Sequence, residues 1–267
     1  MKKILLLSLL PLFMFAKVHY AKVEPYESVV IKSAVSGLVI GVDLDLEGTM
    51  VASKRVIHLD DKLDLINLND STKSISLLKE MLNINKNIAT SLNGTVKRQK
   101  SYYRRISALS TASKTQKDNA YSSFISAKTQ YLNTLEKIIS FKKQILDMEY
   151  KVAQLKDSIS KKSVTLENKY LYQLLVRVGD FVLLGSPLAR VDDTNRAKLV
   201  LFLEPEELEE LEELEEKIIY IDGAKTNYKV GKVWRVADEK FISSYRTEIY
   251  IPAPKGLFSK LLKVEIK

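Results

Sequence analysis

Cysteine is absent from the 267 residues. That absence excludes disulfide frameworks, thiolate metal sites, cysteine nucleophiles and cysteine-linked lipid anchors. Histidine is nearly absent too: His19 and His58 leave little for imidazole catalysis or a His-rich metal site. There is no Gly-rich phosphate loop, and nothing in the pattern places two acids in a cleft. The chain is therefore read as a non-enzyme, with no catalytic, cofactor-binding or metal-binding residues and no cofactor. At 46% hydrophobic and 28% charged residues, wholesale disorder is excluded as well.

Proline and glycine are missing selectively. No proline falls between residues 26 and 186, and between residues 49 and 178 the only glycine is Gly94. Keeping helix breakers out of the middle predicts long helix there. Both flanks carry turn residues among short runs rich in Val, Ile, Leu and Tyr, which predicts sheet.

Long apolar runs are equally scarce. Lys2 and Lys3 precede one from Ile4 to Phe15, with Ala16 as a small residue after it. This reads as a signal peptide over residues 1–16, too short to span a bilayer, which needs ~20 residues. The mature chain is expected in the periplasm, where a cysteine-free protein avoids thiol oxidation.

In the middle, apolar residues recur in alternating steps of three and four. One series runs Ile75, Leu78, Leu82, Ala89, Leu92, Val96, Tyr103 and Ile106, interrupted by Asn85 and Gln99. A second runs from Tyr121 and Phe124 through Tyr131, Leu135, Ile138, Ile145, Met148, Val152 and Leu155 to Ile159. Such seams predict a coiled coil. The phase breaks between Ser107 and Ser113, where Ser113 and Gln116 have the spacing of a capping box. Two helices with one break make an antiparallel hairpin with arms of about 50–65 Å. Residues 71–160 carry sixteen Lys and Arg against six Asp and Glu, so the chain's net charge of +9 resides on this hairpin. Lys97, Arg98, Lys100, Arg104, Arg105, Lys114 and Lys117 crowd toward its tip. No nucleic-acid recognition fold accompanies them, and no nucleic-acid partner is assigned.

The flanks carry a resemblance. Val178, Gly179, Asp180, Phe181 and Val182, followed by Gly185, Pro187 and Leu188, resemble the hammerhead of biotinyl and lipoyl carrier domains. Ala34-Val35-Ser36-Gly37-Leu38-Val39 looks like the opening strand of the other half. A covalent carrier needs a lysine at the turn joining its halves; here about a hundred residues of helix stand there instead. A split lipoyl-like domain with an inserted helical hairpin is the arrangement of periplasmic adaptor subunits, the membrane fusion protein family. The resemblance implies an elongated α+β multidomain fold: a long antiparallel coiled-coil hairpin between the halves of a lipoyl-like β domain, then a small β-barrel domain. Its divisions are an N-terminal strand and first lipoyl half at 17–62, hairpin at 63–162 with its tip near 107–114, second half at 163–194, and barrel at 195–267. Residues 204–216 hold nine Glu and should form a short acidic helix at 205–217 that caps the barrel, as a solvated face and not a cation site. The further membrane-proximal domain of many adaptors is expected to be absent or reduced.

The resemblance also implies a function, linking an inner-membrane transporter to an outer-membrane channel in a tripartite drug-efflux pump of the resistance-nodulation-division type. Several copies would form a ring, with lipoyl and barrel domains on the transporter and hairpin tips on the channel. In efflux adaptors the tip docks through an Arg, a Leu and a later Ser or Thr. Arg105, Leu109 and Ser113 match that pattern, with Lys114, Asp118 and Ala120 following as in the family. Leu109 and Ser113 stand closer together than is usual, so either the turn is tighter or Thr111 or Gln116 takes the polar role. Two other readings remain: an adaptor of an ABC-type or heavy-metal exporter, and a structural coiled-coil protein of the envelope without a transporter.

Overall fold

Alternating apolar residues build β1 (Val18–Lys32), β2 (Gly37–Val42) and, after one turn of 3-10 helix at Leu44–Leu46, β3 (Thr49–Leu59) before the long helices begin. The structure, a computed structural model, describes residues 17–213, 218–238, 243–254 and 258–267. The expected signal peptide at 1–16 lies outside the described residues. Helices α1 (Lys62–Ala108) and α2 (Lys114–Lys161) follow, then β4 (Ser163–Leu174), β5 (Phe181–Val182) and β6 (Pro187–Leu203). Helix α3 (Pro205–Glu213) leads to β7 (Ile219–Ile221), β8 (Ala224–Thr226), β9 (Val230–Val233), β10 (Tyr245–Pro252) and β11 (Leu261–Ile266).

The strands on either side of the helices pair with one another. β3 runs antiparallel to β4, from Thr49 opposite Leu171 to His58 opposite Ser163. The hairpin thus occupies the place of the turn between two neighbouring strands. β2 pairs with both β3 and β5. Together these strands close a core of Val39, Val51, Val56, Ile57 and Leu59 from the first flank against Leu166, Leu171, Leu174, Val182 and Leu188 from the second. Neither flank has enough apolar surface for a core of its own, which is why both are needed.

The second-flank motif folds as two tight turns. Gly179 (φ +98°) and Gly185 (φ +85°) take backbone conformations that side chains rarely adopt. Asp180 Oδ2 accepts from the Arg177 N–H at 2.7 Å, and Ser186 Oγ accepts from the Leu183 N–H at 3.0 Å.

Two long strands tie this core to a second one. β1 pairs with β6 from Lys22–Val200 to Lys32–Pro187, with a register shift between Pro25 and Glu27. Pro25 has no N–H to give a ladder, so the irregularity falls where pairing is weakest. β6 exchanges its other neighbour along its length, from β4 near Arg190 to β10 beyond Arg196. It runs unbroken across the expected division at residues 194 and 195, and its later residues enter the second core. That core joins Ala21 and Val23 of β1 to Leu199, Leu201 and Leu203 of β6, Ile219, Ile249 and Val264.

The expected β-barrel is corrected. The second core is covered by an open sheet in the order β9-β10-β6-β1-β11-β7-β8, and β9 does not meet β8 among the described residues. Strands β7, β8 and β9 are only three or four residues long, so the two edges offer few ladder hydrogen bonds with which to close on each other. Asp222-Gly223 turns β7 back into β8. Both residues have positive φ, as a two-residue primed hairpin turn requires. Helix α3 is described to Glu213, and residues 214–217 of the expected acidic helix lie outside the described set. It is fastened by Lys17 to Glu204 at 2.5 Å and His19 to Glu207 at 3.0 Å.

Leu199 is fully buried in β6, opposite Val23 of β1 on one side and Ile249 of β10 on the other. Leu199→Ala is expected to destabilise the body by about 2–5 kcal/mol, the range for a core Leu truncation, measured by urea unfolding. At Gly231 an added Cβ would lie 2.5 Å from the Tyr250 ring. Gly231→Ala should therefore lower the unfolding midpoint, whereas Gly231→Ala combined with Tyr250→Ala should recover part of the loss.

Candidate functional site

Helices of 47 and 48 residues, at 1.5 Å per residue, carry the hairpin about 70 Å from the β body. This exceeds the expected arm length because helix continues below Ile75 and to Lys161, where the apolar periodicity is weaker. The seam follows the predicted phase: Leu78, Leu82, Ala89, Val96 and Ile106 are turned from solvent on α1, as are Phe124, Tyr131, Ile138, Ile145 and Val152 on α2. Tyr121 departs from it and is half exposed. Small residues that the apolar pattern passed over, Ala120, Ala127 and Thr134, are buried in the same seam. They supply little area but let the helices approach closely.

The base is clamped by charge. Lys162 Nζ lies 2.6 Å from Asp64 Oδ2 and donates to the Asp60 carbonyl at 2.7 Å. The Leu59 N–H donates to the Lys162 carbonyl at 2.8 Å, and His58 Nε2 sits 3.1 Å from Asp61 Oδ2. Strand pairing and these contacts fix the direction in which the hairpin leaves.

The tip is built from helix ends. Arg105 lies in the last turn of α1, where a cation complements the helix dipole, and its Nη1 donates to Ser101 Oγ at 3.4 Å. Leu109 closes the helix: its backbone is extended, its N–H donates to the Ile106 carbonyl at 3.2 Å, and its side chain is 49% exposed. Ser113 opens α2 with the capping box that its spacing to Gln116 predicted. Ser113 Oγ accepts from the Gln116 N–H at 3.2 Å, and Gln116 Oε1 accepts from the Ser113 N–H at 2.9 Å. The three residues singled out in the sequence thus lie at or beside the short connection between α1 and α2. Two of them, Leu109 and Ser113, already have local duties as caps.

Behind the tip, aromatic rings join the helices. The Tyr103 ring lies 5.3 Å from that of Tyr121 and 6.3 Å from, and parallel to, that of Phe124. These residues were visible as members of the apolar series; their stacking was not, because it depends on the relative shift of two antiparallel helices. Among the described residues, no group of three or more His, Asp or Glu could hold a metal ion. No described helix is long and apolar enough to cross a membrane.

Removing the Ser113 cap should fray the start of α2. Ser113→Ala is expected to cost about 1 kcal/mol, read as faster amide exchange over residues 114–118, while Ser113→Asp retains protection.

No protein-family model and no curated protein matches the chain. Solved structures do. MacA from Actinobacillus actinomycetemcomitans matches over 94% of this chain and 78% of its own, with a TM-score of 0.71 at 13% identity. The membrane fusion protein Spr0693 from Streptococcus pneumoniae R6 matches over 94% of this chain and 99% of its own, with a TM-score of 0.58 at 9% identity. A MacA–MexA chimera containing the Pseudomonas aeruginosa MexA α-hairpin domain matches over 94% and 78%, with a TM-score of 0.57 at 13% identity. A two-core β body interrupted by one long antiparallel hairpin is the architecture they share with this chain, which has the fold of the membrane fusion, or periplasmic adaptor, proteins.

Proposed function

We propose that the chain is the adaptor of a tripartite exporter, joining an inner-membrane transporter to an outer-membrane channel for the export of drugs or other small molecules. The observation that carries this reading is the hairpin itself. A helical pair held by a narrow seam, about 70 Å long and capped at an exposed tip, serves reach rather than chemistry. The adaptor works as a spacer in the periplasm. The β body seats on the transporter, for which the expected signal peptide in place of an N-terminal membrane anchor favours the resistance-nodulation-division class over an ABC type, and the tip meets the channel.

At the tip, Arg105 offers a planar fork of donors to carbonyls or carboxylates on the channel. Leu109 presents an apolar side chain to a pocket, and the Ser113 hydroxyl keeps a proton to donate beyond its capping role.

Side-by-side assembly of several copies is supported by apolar residues outside the seam. Leu77, Met81, Ile84 and Ile88 recur in steps of four, three and four along α1, and all are exposed. Ile125, Leu132, Ile139 and Leu146 recur every seven residues along α2, also exposed. The Lys79–Glu149 pair at 3.2 Å marks one side of the hairpin, and helical geometry puts the two rows on opposite sides. A surface with different halves on opposite sides joins copies head to tail, which builds a ring where the rotation between neighbours closes.

Deleting the encoding gene should raise sensitivity to exported drugs, and the wild-type gene should restore resistance. Arg105→Ala should restore it poorly and weaken capture of the purified channel by about tenfold or more, as loss of an anchoring Arg does. Unchanged sensitivity on deletion, with no channel co-purifying, would remove this reading.

A further inference from the structure

Charge is distributed along the hairpin in a way that docking through three residues does not require. Between Glu80 and Glu136 the only acidic residue is Asp118, against nine Lys and Arg. Below those limits, acids and bases pair. Lys79 with Glu149, Lys161 with Asp157, and Lys162 with Asp64 are ion pairs of the hairpin's lower half. Above them no ion pair forms among the described residues. Arg98 and Arg105 donate only to the hydroxyls of Thr95 and Ser101 on their own helix.

The upper cations are also placed against one another. Lys97 and Lys100 are three residues apart, Lys100 and Arg104 four, and Lys114 and Lys117 three, so each pair shares a helix face and repels. Six of the seven tip cations are exposed, and Lys117 is half-buried. A two-helix rod with so little core gains nothing in stability from this arrangement.

We infer that the upper hairpin is an electrostatic collar whose occupant is the carboxylate-bearing helical end of the channel protein. This rests on the adaptor reading and adds the chemistry of the partner. Geometry favours a protein socket over a membrane surface. The cations cover about half the circumference of the upper part of α1 and extend from Arg105 back to Lys97, about 18 Å below Leu109 at 1.5 Å per residue. A flat bilayer would reach only the final turn, whereas helices that interdigitate with the rod can reach every level. An apolar face for insertion is lacking as well, since Leu109 and Tyr102 are the large exposed apolar or aromatic side chains between residues 95 and 115. Acids on the partner would relieve the repulsion only in the complex, making docking favourable and salt-dependent.

The test uses the full mature chain, the purified trimeric outer-membrane channels of the source organism in nanodiscs, and vesicles with 30% phosphatidylglycerol, a composition chosen for the experiment. The charge-reversed variant K97E/K100E/R104E leaves Arg105, Leu109 and Ser113 untouched. Wild type should bind a channel roughly tenfold more weakly when NaCl rises from about 50 to about 300 mM, and charge reversal should abolish both the binding and its salt response. A second variant, K97Q/K100Q/R104Q, should unfold at a higher temperature than wild type in low salt while binding the channel less tightly. Channel binding that is insensitive to salt and to both variants would overturn the collar and leave tip docking standing. Binding to the vesicles and to no channel, or no wild-type binding to any channel, would overturn both.

Discussion

The antiparallel pairing of β3 with β4 is the constraint on which the rest of the structure depends. Their ladder brings Ile57 beside Val164 and His58 beside Ser163, although the helical hairpin separates them. Everything between must leave the sheet and come back to the same point. That is why α1 and α2 are nearly equal, at 47 and 48 residues, and why the Lys162–Asp64 contact can close the base. If the ladder were lost, both halves of the first core would be left with an exposed apolar face, and the hairpin would have no fixed direction.

The two parts of the molecule are stabilised by different means. In the body, most strands contribute aliphatic side chains to the two cores, and β1 and β6 run through both. Unfolding one core therefore disturbs the ladder that supports the other. Along the hairpin, the fully covered residues are few and mostly small, such as Ala89, Ala120, Ala127 and Thr134. Helix propensity, the capping box at Ser113 and the Tyr103–Phe124 stack supplement a narrow seam. Such a rod holds its shape but keeps apolar rows and charge on its surface for contacts with other molecules.

Much of this could be read before any coordinates. The absence of proline and glycine from the middle marked the helices, and the three-four recurrence marked the face each presents to the other. Ser113 and Gln116 announced the start of α2. Gly179 and Gly185 fell where turns demand positive φ. Arg105, Leu109 and Ser113 were found through a likeness in motif, and the fold places all three at the tip. Asp222-Gly223 is the local signal for the hairpin of β7 and β8. The base clamp of Asp60, Asp64 and Lys162 had no sequence signature, since a lone Lys and scattered Asp residues become a cluster only after the chain returns.

The sequence by itself determined what is local: the period of each segment, the caps and turns, and the concentration of positive charge on the hairpin. These depend on neighbours a few residues apart, so they are written in the order of residues. The tertiary structure alone decided that the second sheet is open among the described residues, that β1 and β6 serve two cores, and which rings stack behind the tip. Those outcomes depend on strand register and helix offset between segments far apart in the chain, where a shift of one residue changes every contact while leaving the local pattern intact.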